Sequence, residues 1–354
     1  MFPLVRVNKK HLLANVRAVT ELCAAKNIAV TGVTKVFGGD PEIAAVYVEG
    51  GITRLGDSRV ENLKLLKGLD AEKWLIRPPM ISEVDDLVAY ADASLNSELA
   101  TIQAINDAAI AKGKVHKVIL MVDLGDIREG FIDHDELIDV AVETENMEGV
   151  HLYGIGVNLT CFSFIQSDSE KMAALTELSK TVGRRVGREL EVVSGGNSAT
   201  LDLMMKDGIT EGVNNLRLGE SLLFGKERAN YTFLPGTHKD VFILECEIVE
   251  LKEKPSMPWG TVGVDSYGNS PTFTDQGMRM KAICALGKQD FDVETSVPVD
   301  QDIIILGASS DHLMLDVTDS KRTYKVGDTI ELQLGYFATM RAFTSRYVHK
   351  IYVG

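Results

Sequence analysis

An alternation of short apolar runs with amphipathic helical stretches fills the first 230 residues, and it constrains the fold more than any other feature. The run IAVTGVTKV at 28–36 is rich in β-branched residues and follows a helical stretch at 9–26 that Asn8 can cap. The pattern then repeats, which gives about eight strand–helix units. Further strand candidates lie at 52–55, 74–76, 93–95, 117–122, 152–157, 190–193 and 215–218.

Strands that alternate with helices form a parallel sheet, and eight such units in about 220 residues favour a closed (β/α)8 barrel of the TIM type. The alternative is an open, doubly wound sheet. That fold carries a glycine-rich fingerprint after its first strand, and TGVTKVFGGD at 31–40 does not match it. The sequence therefore predicts an α/β barrel over residues 8–228.

After Gly225 the pattern changes to short β-like runs separated by turns, among them VFILECEIVELKEK, TIELQL and RYVHKIYVG. We expect no strong helix among these runs. They predict a β-rich C-terminal domain at 229–354, to which residues 1–7 can add a strand.

The composition narrows the classes of partner. The formal net charge is −14 at pH 7, which disfavours nucleic acid and anionic membranes, since both attract basic stripes. Four cysteines stand far apart without a CxxC pair, so we expect neither a metal site nor a disulfide framework. Reduced thiols of this kind are typical of a cytoplasmic protein.

In an eight-stranded barrel the active site forms where the strands end at the carboxyl-terminal face. Lys35 ends the first predicted strand, in the apolar segment VTGVTKVF, where an uncompensated lysine is costly to bury. A lysine kept from water is nucleophilic and can form a Schiff base with a carbonyl. The alternative is a lysine whose amine reaches solvent past the strand end. Asp57, Arg77 and Asp123 follow other predicted strands.

Small-residue loops follow the last two predicted strands, SGGNS at 194–198 and LGE at 218–220. Barrels commonly bind phosphate at this position through backbone N–H groups and a helix N-terminus. Ser198 can donate its hydroxyl to a phosphate, and it can equally cap the next helix. A strand-end lysine and a phosphate-binding loop on one barrel suggest pyridoxal phosphate (PLP) as the cofactor.

Motifs along nearly all of the chain resemble the alanine-racemase-like family of PLP enzymes. VTGVTKVFGG resembles the strand of the cofactor lysine, VDLGDIREG a segment with an active-site arginine, SGGNSATL the phosphate loop and NNLRLGESLLFG the last barrel strand. The resemblance implies a PLP-dependent amino-acid racemase and a homodimer with shared active sites. VDLGDIREG, GGNSATL and LRLGESLLFG are most similar to the branch of the family that acts on ornithine.

The same resemblance implies roles for individual residues. Lys35 would bind the cofactor and act as one catalytic base. Cofactor contacts are implied for Arg128, Asn158, Asn197, Ser198, Arg217, Gly219 and Glu220. Substrate contacts are implied for Arg128, and for Ser310 and Asp311 in GASSDHLMLDVTD.

Arg217 discriminates among PLP reactions. An arginine cannot protonate the pyridine nitrogen that it faces, so the ring withdraws electrons less strongly than one that faces a carboxylate. This favours racemisation and argues against a PLP decarboxylase on the same fold. A non-catalytic PLP-binding protein is a third hypothesis, and the second domain argues against it. The alternative interpretation of Arg217 itself is an ion pair with Glu220 or another acid.

The second catalytic base is expected in the C-terminal domain. The family carries a tyrosine there in a GYxDG-like segment, and the comparable stretch reads GTVGVDSYGNSP. Tyr267 is the available phenol, with Ser266 and Asp265 as alternatives. The predicted activity is two-base racemisation of a basic amino acid such as ornithine, with alanine, lysine and serine as alternative substrates.

Overall fold

The structure, a computed structural model, describes residues 1–264 and 268–354. They fall into two compact units, Lys9–Lys239 and Met1–Asn8 with Asp240–Val353. The first strand of the chain, β1 (Leu4–Asn8), belongs to the smaller unit.

A closed barrel of parallel strands forms the larger unit, as the alternating pattern predicts. The short strand expected at 93–95 is present and pairs with both of its neighbours. The open-sheet alternative is therefore wrong. The barrel strands, in their order around the barrel, are β2 (Ala29–Val33), β3 (Arg54–Asp57), β4 (Glu72–Leu75), β5 (Ala93–Asn96), β6 (His116–Val122), β7 (Val150–Val157), β8 (Val192–Ser194) and β9 (Asn215–Leu218).

Helices alternate with these strands. Aspartate side chains accept backbone N–H bonds at the first turns of three helices, at Asp40, Asp133 and Asp168. The helices of the larger unit are α1 (Lys9–Ala24), α2 (Pro41–Glu49), α3 (Val60–Leu65), α4 (Val84–Tyr90), α5 (Leu99–Ala111), α6 (His134–Glu145), α7 (Ser169–Val186), α8 (Thr200–Met205) and α9 (Glu220–Phe224).

Strand alternation divides the apolar residues of this unit into two layers. One cluster contains only strand residues and fills the barrel interior, with Trp74, Leu95, Met121 and Tyr153 among its members. The other cluster joins the outward strand residues to the apolar faces of the helices. The barrel is thus packed through its middle, which leaves its two ends for polar side chains.

Residues 229–239 group with the barrel rather than with the β-rich unit. The buried Glu227 carboxylate accepts bonds from the backbone N–H groups of Ala229, Asn230 and Thr232, which fixes the first part of the loop that follows α9. The compact unit therefore ends later than the domain boundary expected from the sequence.

The smaller unit is a mostly antiparallel sheet in which β1 pairs with β10 and β16. The expectation of no helix in this region is wrong. The segment YFATMRAFT forms a helix because Ala338, Thr339 and Ala342 lie on one buried face, although its aromatic residues resemble a strand. Its elements are β10 (Phe242–Pro255), β11 (Met278–Cys284), β12 (Ser296–Pro298), β13 (Ile304–Ala308), β14 (Leu313–Asp316), β15 (Thr329–Leu334), α10 (Tyr336–Thr344) and β16 (His349–Val353).

Among the helices of the described residues, none combines the length and the apolar character needed to cross a membrane.

Candidate active site

The carboxyl-terminal ends of β2–β9 and the loops that follow them, here called the mouth, collect most of the predicted site residues of the barrel. The prediction that Lys35 ends the first barrel strand is wrong. The strand β2 stops at Val33, and Lys35 begins a one-turn 3-10 helix. Thr34 fixes this turn to the end of β3, with its N–H on the Gly56 carbonyl at 2.8 Å and its hydroxyl on Asp57 Oδ2 at 2.6 Å. Lys35 is half-buried at this position.

Asp57 is the acidic neighbour of this turn. Burial raises the pKa of Asp57, and three influences oppose that shift: the hydrogen bonds from Thr34 and Asn62, the backbone N–H of Arg59 and the charge of Lys35. The lysine therefore lies within electrostatic reach of a buried carboxyl group at the mouth.

Arg217 lies in β9, the last strand of the barrel, and is buried. Its guanidinium donates to Ser194 Oγ at 2.6 Å and to the Val157 carbonyl at 2.9 Å, both neutral acceptors. Burial lowers the pKa of Arg217 to about 10, and the charge of nearby Glu129 opposes this. Within the described part of the chain, Arg217 forms no ion pair with a carboxylate, so the alternative interpretation of this residue is wrong.

Glu220, the acid proposed in that alternative, lies elsewhere. Its carboxylate is 3.2 Å from Arg228 Nε and 3.8 Å from Lys226 Nζ. Burial raises the pKa of Glu220, while the two cations lower it. The carboxylate therefore anchors the loop after α9.

Ser198 does not cap the helix that follows it, since α8 begins at Thr200 without a side-chain cap. Its buried hydroxyl lies 3.2 Å from Ser221 Oγ and accepts a bond from the Ser221 N–H at 3.3 Å. Gly219 stands directly before this first turn of α9. Two hydroxyls thus meet at the first turn of α9, between the last two strand ends.

Asn197 and Asn158 connect the loops after β8 and β7. Asn197 Nδ2 donates to the Leu159 carbonyl at 2.8 Å and to Asn158 Oδ1 at 3.4 Å. Asn158 Nδ2 is buried and has no hydrogen-bond partner among the described residues. A buried donor without an acceptor is costly, which marks a place where a bound group can accept a bond.

Arg128 extends from the loop after β6 and pairs with the adjacent Glu129 through two guanidinium nitrogens. Burial alone would lower the pKa of Arg128, but the hydrogen bonds and charge of Glu129 raise it overall. The charge of Arg128 acts on Arg217, which places both arginines at one mouth. Arg77, in contrast, pairs with Glu83 at 2.7 Å and donates to the Ser58 carbonyl at 2.7 Å.

Ser310 and Asp311 lie in the smaller unit and bond to each other, with Ser310 Oγ 2.6 Å from Asp311 Oδ2. Tyr267 and its alternatives Ser266 and Asp265 lie outside the described residues.

Comparison with known proteins agrees with this arrangement. The sequence profile described as "Alanine racemase, N-terminal domain" matches residues 7–227. The chain is 43% identical over 350 residues to ornithine racemase of Acetoanaerobium sticklandii, covering 99% of each chain. It is 35% identical over 354 residues to lysine racemase of Thermotoga maritima, again covering 99% of each. The chain belongs to the alanine racemase family.

Solved structures of this family of amino-acid racemases have a fold similar to that of this chain. An alanine racemase of Bartonella henselae with covalently bound pyridoxal phosphate superposes with a TM-score of 0.74 at 18% identity, over 100% of both chains. Alanine racemase of Streptomyces lavendulae gives a TM-score of 0.75 at 18% identity, covering 100% of this chain and 98% of that one. At this identity the likeness concerns the fold.

Several contacts of this racemase mouth were not predicted from the sequence, although Ser194 lies in the predicted SGGNS loop. Ser194 and Ser221 contact Arg217 and Ser198, and Glu129 pairs with Arg128. Glu129 carried a usable signal, since it directly follows the arginine of VDLGDIREG. The serines carried none, because small polar residues at strand ends are common.

Proposed function

We propose that this racemase uses PLP to interconvert the enantiomers of ornithine. The observation that carries the reaction is Arg217, a buried cation at the end of the last strand whose acceptors among the described residues are neutral. The substrate class rests on the two full-length relatives, both named for racemising a basic amino acid.

The donor groups of the mouth fit the cofactor. Lys35 offers an amine for the aldehyde, and the paired hydroxyls of Ser198 and Ser221 offer donors for the phosphate. Asn158 Nδ2 offers a buried donor that needs an acceptor. Asn197, Gly219 and Arg128 line the same mouth and are proposed to contact the cofactor, and Glu220 to secure the loop behind it.

PLP, when bound, supplies a conjugated ring that stabilises the charge left when the α-proton of the amino acid departs. Lys35 Nζ is proposed to remove or return that proton on one face. Thr34 and Asp57 hold the turn that aims Lys35. Arg217 donates hydrogen bonds and accepts none, so it would leave unprotonated a ring nitrogen bound next to it. Because a ring with an unprotonated nitrogen stabilises that charge less strongly, return of the proton is favoured over side reactions.

The other face needs a second base, and Tyr267 is the proposed phenol. We place it in the active site of a second copy of the chain, so the working unit is a homodimer, with Ser310 and Asp311 beside the substrate. Exposed apolar side chains in the same segment support an association surface, since Trp259 is 86% and Val264 66% exposed.

The cofactor and substrate are tested together. Purified protein should be yellow, and borohydride reduction followed by peptide mapping should locate the cofactor on the peptide that contains Lys35. Labelling of another lysine would contradict the assignment. A chiral assay of ornithine, lysine, alanine and serine should then give the highest kcat/KM with ornithine, and a preference for alanine would overturn the substrate proposal.

Ser198→Ala tests the phosphate contact. One hydrogen bond to a charged group is worth about 1.5–3 kcal/mol, so the dissociation constant of PLP should rise about 10- to 100-fold. Ser82→Ala, at an exposed serine before α4 that has no proposed role, is the matched control. An unchanged dissociation constant for Ser198→Ala would remove this serine from the phosphate site.

Sharing of sites is tested by mixing two inactive variants, Lys35→Ala and Tyr267→Phe. Hybrid dimers should regain racemase activity, because one of their sites combines an intact Lys35 with an intact Tyr267. Absence of activity in hybrids shown to have formed would refute the shared site.

A further inference from the structure

Two loops of the mouth carry groups of the proposed site. The β6 loop (123–130) carries Arg128, and the β7 loop (158–168) carries Asn158. They follow neighbouring strands, since β6 pairs with β7 along its length. The two loops could move independently unless a contact joins them.

Asp126 is the contact. Its side chain is buried, and its carboxylate accepts bonds from the backbone N–H groups of Phe162 at 3.2 Å and Ser163 at 3.0 Å. The Asp126 carbonyl also accepts the Ser163 hydroxyl at 2.7 Å. A buried carboxylate that receives backbone N–H bonds is a strong, directional link. All of these bonds run from the β6 loop to the β7 loop.

The backbone next to Arg128 is held in an unusual conformation. Ile127, between Asp126 and Arg128, has φ +53°, which is rare for a β-branched residue. Asp123 supports it from inside the loop by accepting the N–H groups of Ile127 at 3.1 Å and Arg128 at 3.2 Å. Such a conformation persists only where its surroundings fix it.

We propose that Asp126 is a positioning residue that couples the β6 and β7 loops and thereby sets the place of Arg128 at the mouth. Its assigned effect on catalysis rests on the proposed function, in which Arg128 contacts substrate and cofactor. Asp126 itself acts through the backbone and contacts neither. With this link removed, Ile127 relaxes and the Arg128 guanidinium samples several positions.

The first test needs no substrate. Asp126→Asn keeps the size of the side chain but removes its charge and places an amide NH2 among N–H donors. Hydrogen exchange should accelerate at least about tenfold in both loops at once, while the barrel strands stay protected. Ser163→Ala removes only the hydroxyl bond and should give a smaller change at the same amides.

The matched control is Asp133→Asn. Asp133 also accepts two backbone N–H bonds, from Asp135 and Glu136, but it does so at the start of α6 and joins no second loop. Its exchange effect should stay within the start of α6. Acceleration confined to the β7 loop, or absent from both loops in Asp126→Asn, would overturn the coupling.

A double-mutant cycle with Arg128→Lys tests the route to catalysis. Asp126→Asn should raise the KM for ornithine about tenfold with a smaller change in kcat. In the Arg128→Lys background the same change should have little further effect. Additive losses would show that Asp126 does not act through Arg128. A wild-type protein without racemase activity would refute the proposed function instead, and the hydrogen-exchange result would still decide the coupling.

Discussion

At the amino-terminal end of the barrel, the Glu72 carboxylate pairs with two cations, Arg54 and Lys117, whereas at the carboxyl-terminal end Arg217 is buried among neutral acceptors. Glu72 lies 3.4 Å from Arg54 Nε, contacts Lys117 and accepts the indole N–H of Trp74 at 3.2 Å. We call this set the floor network; its members are Arg54, Glu72, Trp74, Lys117 and Tyr153. Arg54 also donates to the Tyr153 hydroxyl at 3.2 Å.

The pKa values follow the same division. Burial would raise the pKa of Glu72, but the hydrogen bonds and charges of its cationic partners lower it overall. At two groups of the mouth burial prevails, since it lowers the pKa of Arg217 and raises that of Asp57, whereas Arg128 there keeps a paired carboxylate in Glu129. Paired charges contribute to stability, and buried charges without a counterion cost stability. The floor is therefore arranged for folding and the mouth for a ligand, as is usual in such barrels.

The largest effect that this division predicts is at Lys35. Lys35→Ala should lower kcat about 10²- to 10⁴-fold, the usual range for a positioned base. The melting temperature should change little, because the residue is only half-buried in a surface turn. Lys117→Met at the floor is the matched control and should show the reverse, with a lower melting temperature and normal activity per folded molecule. Loss of activity in both variants would break the division.

The second largest effect is expected for Arg217→Glu. A carboxylate at this place can share a proton with the ring nitrogen, so electron withdrawal increases and side reactions are favoured. We expect racemisation to slow roughly 100-fold, about 2.7 kcal/mol in the barrier, with more keto acid formed per turnover. Both products can be followed by chiral chromatography. An unchanged rate and product distribution would mean that Arg217 does not face the ring.

The sequence predicts the barrel well because each strand–helix unit repeats the same local pattern. It also locates Lys35 and Arg217 at the carboxyl-terminal end of the barrel, because a cation in or next to an apolar run is conspicuous, while their roles in the site stay predictions. It does not predict the floor network, since Arg54, Glu72 and Lys117 are far apart along the chain and ordinary by type. The helix α10 was missed because Tyr336, Phe337 and Phe343 favour a strand locally, and only packing decides otherwise.

Glu72→Gln tests the floor. It removes the charge that two cations share, so the free energy of unfolding should fall by about 1–3 kcal/mol, less than for a fully buried pair because Glu72 is partly exposed. The kcat/KM should not change. Glu42→Gln, whose partner Lys9 lies 3.2 Å away at an exposed site, is the control and should alter the melting temperature by about a degree or less. Equal effects in both variants would show that the floor pairs are ordinary surface pairs.

His116 gives the smallest predicted effect and extends the comparison to pH. It is the first residue of β6, buried, with Nε2 2.9 Å from Ser94 Oγ. Burial lowers the pKa of His116 to about 4, whereas an unfolded histidine titrates near 6.5. As pH falls from about 6.5 to 4, the unfolded chain binds a proton at His116 that the folded chain does not bind. Stability is therefore lost across this pH window.

At pH 5 the loss should be about 1–2 kcal/mol relative to pH 8, measured as the fall in the free energy of unfolding in urea. His116→Gln can keep a hydrogen bond to Ser94 and has no proton to gain, so it should flatten this part of the pH profile even where it lowers stability at pH 8. His134→Gln, an exposed histidine at the start of α6, should leave the profile as it is. If His116→Gln retains the full acid sensitivity, the loss originates in other groups, and the Glu72 carboxylate of the floor network, whose pairing also fails on protonation, becomes the source to test.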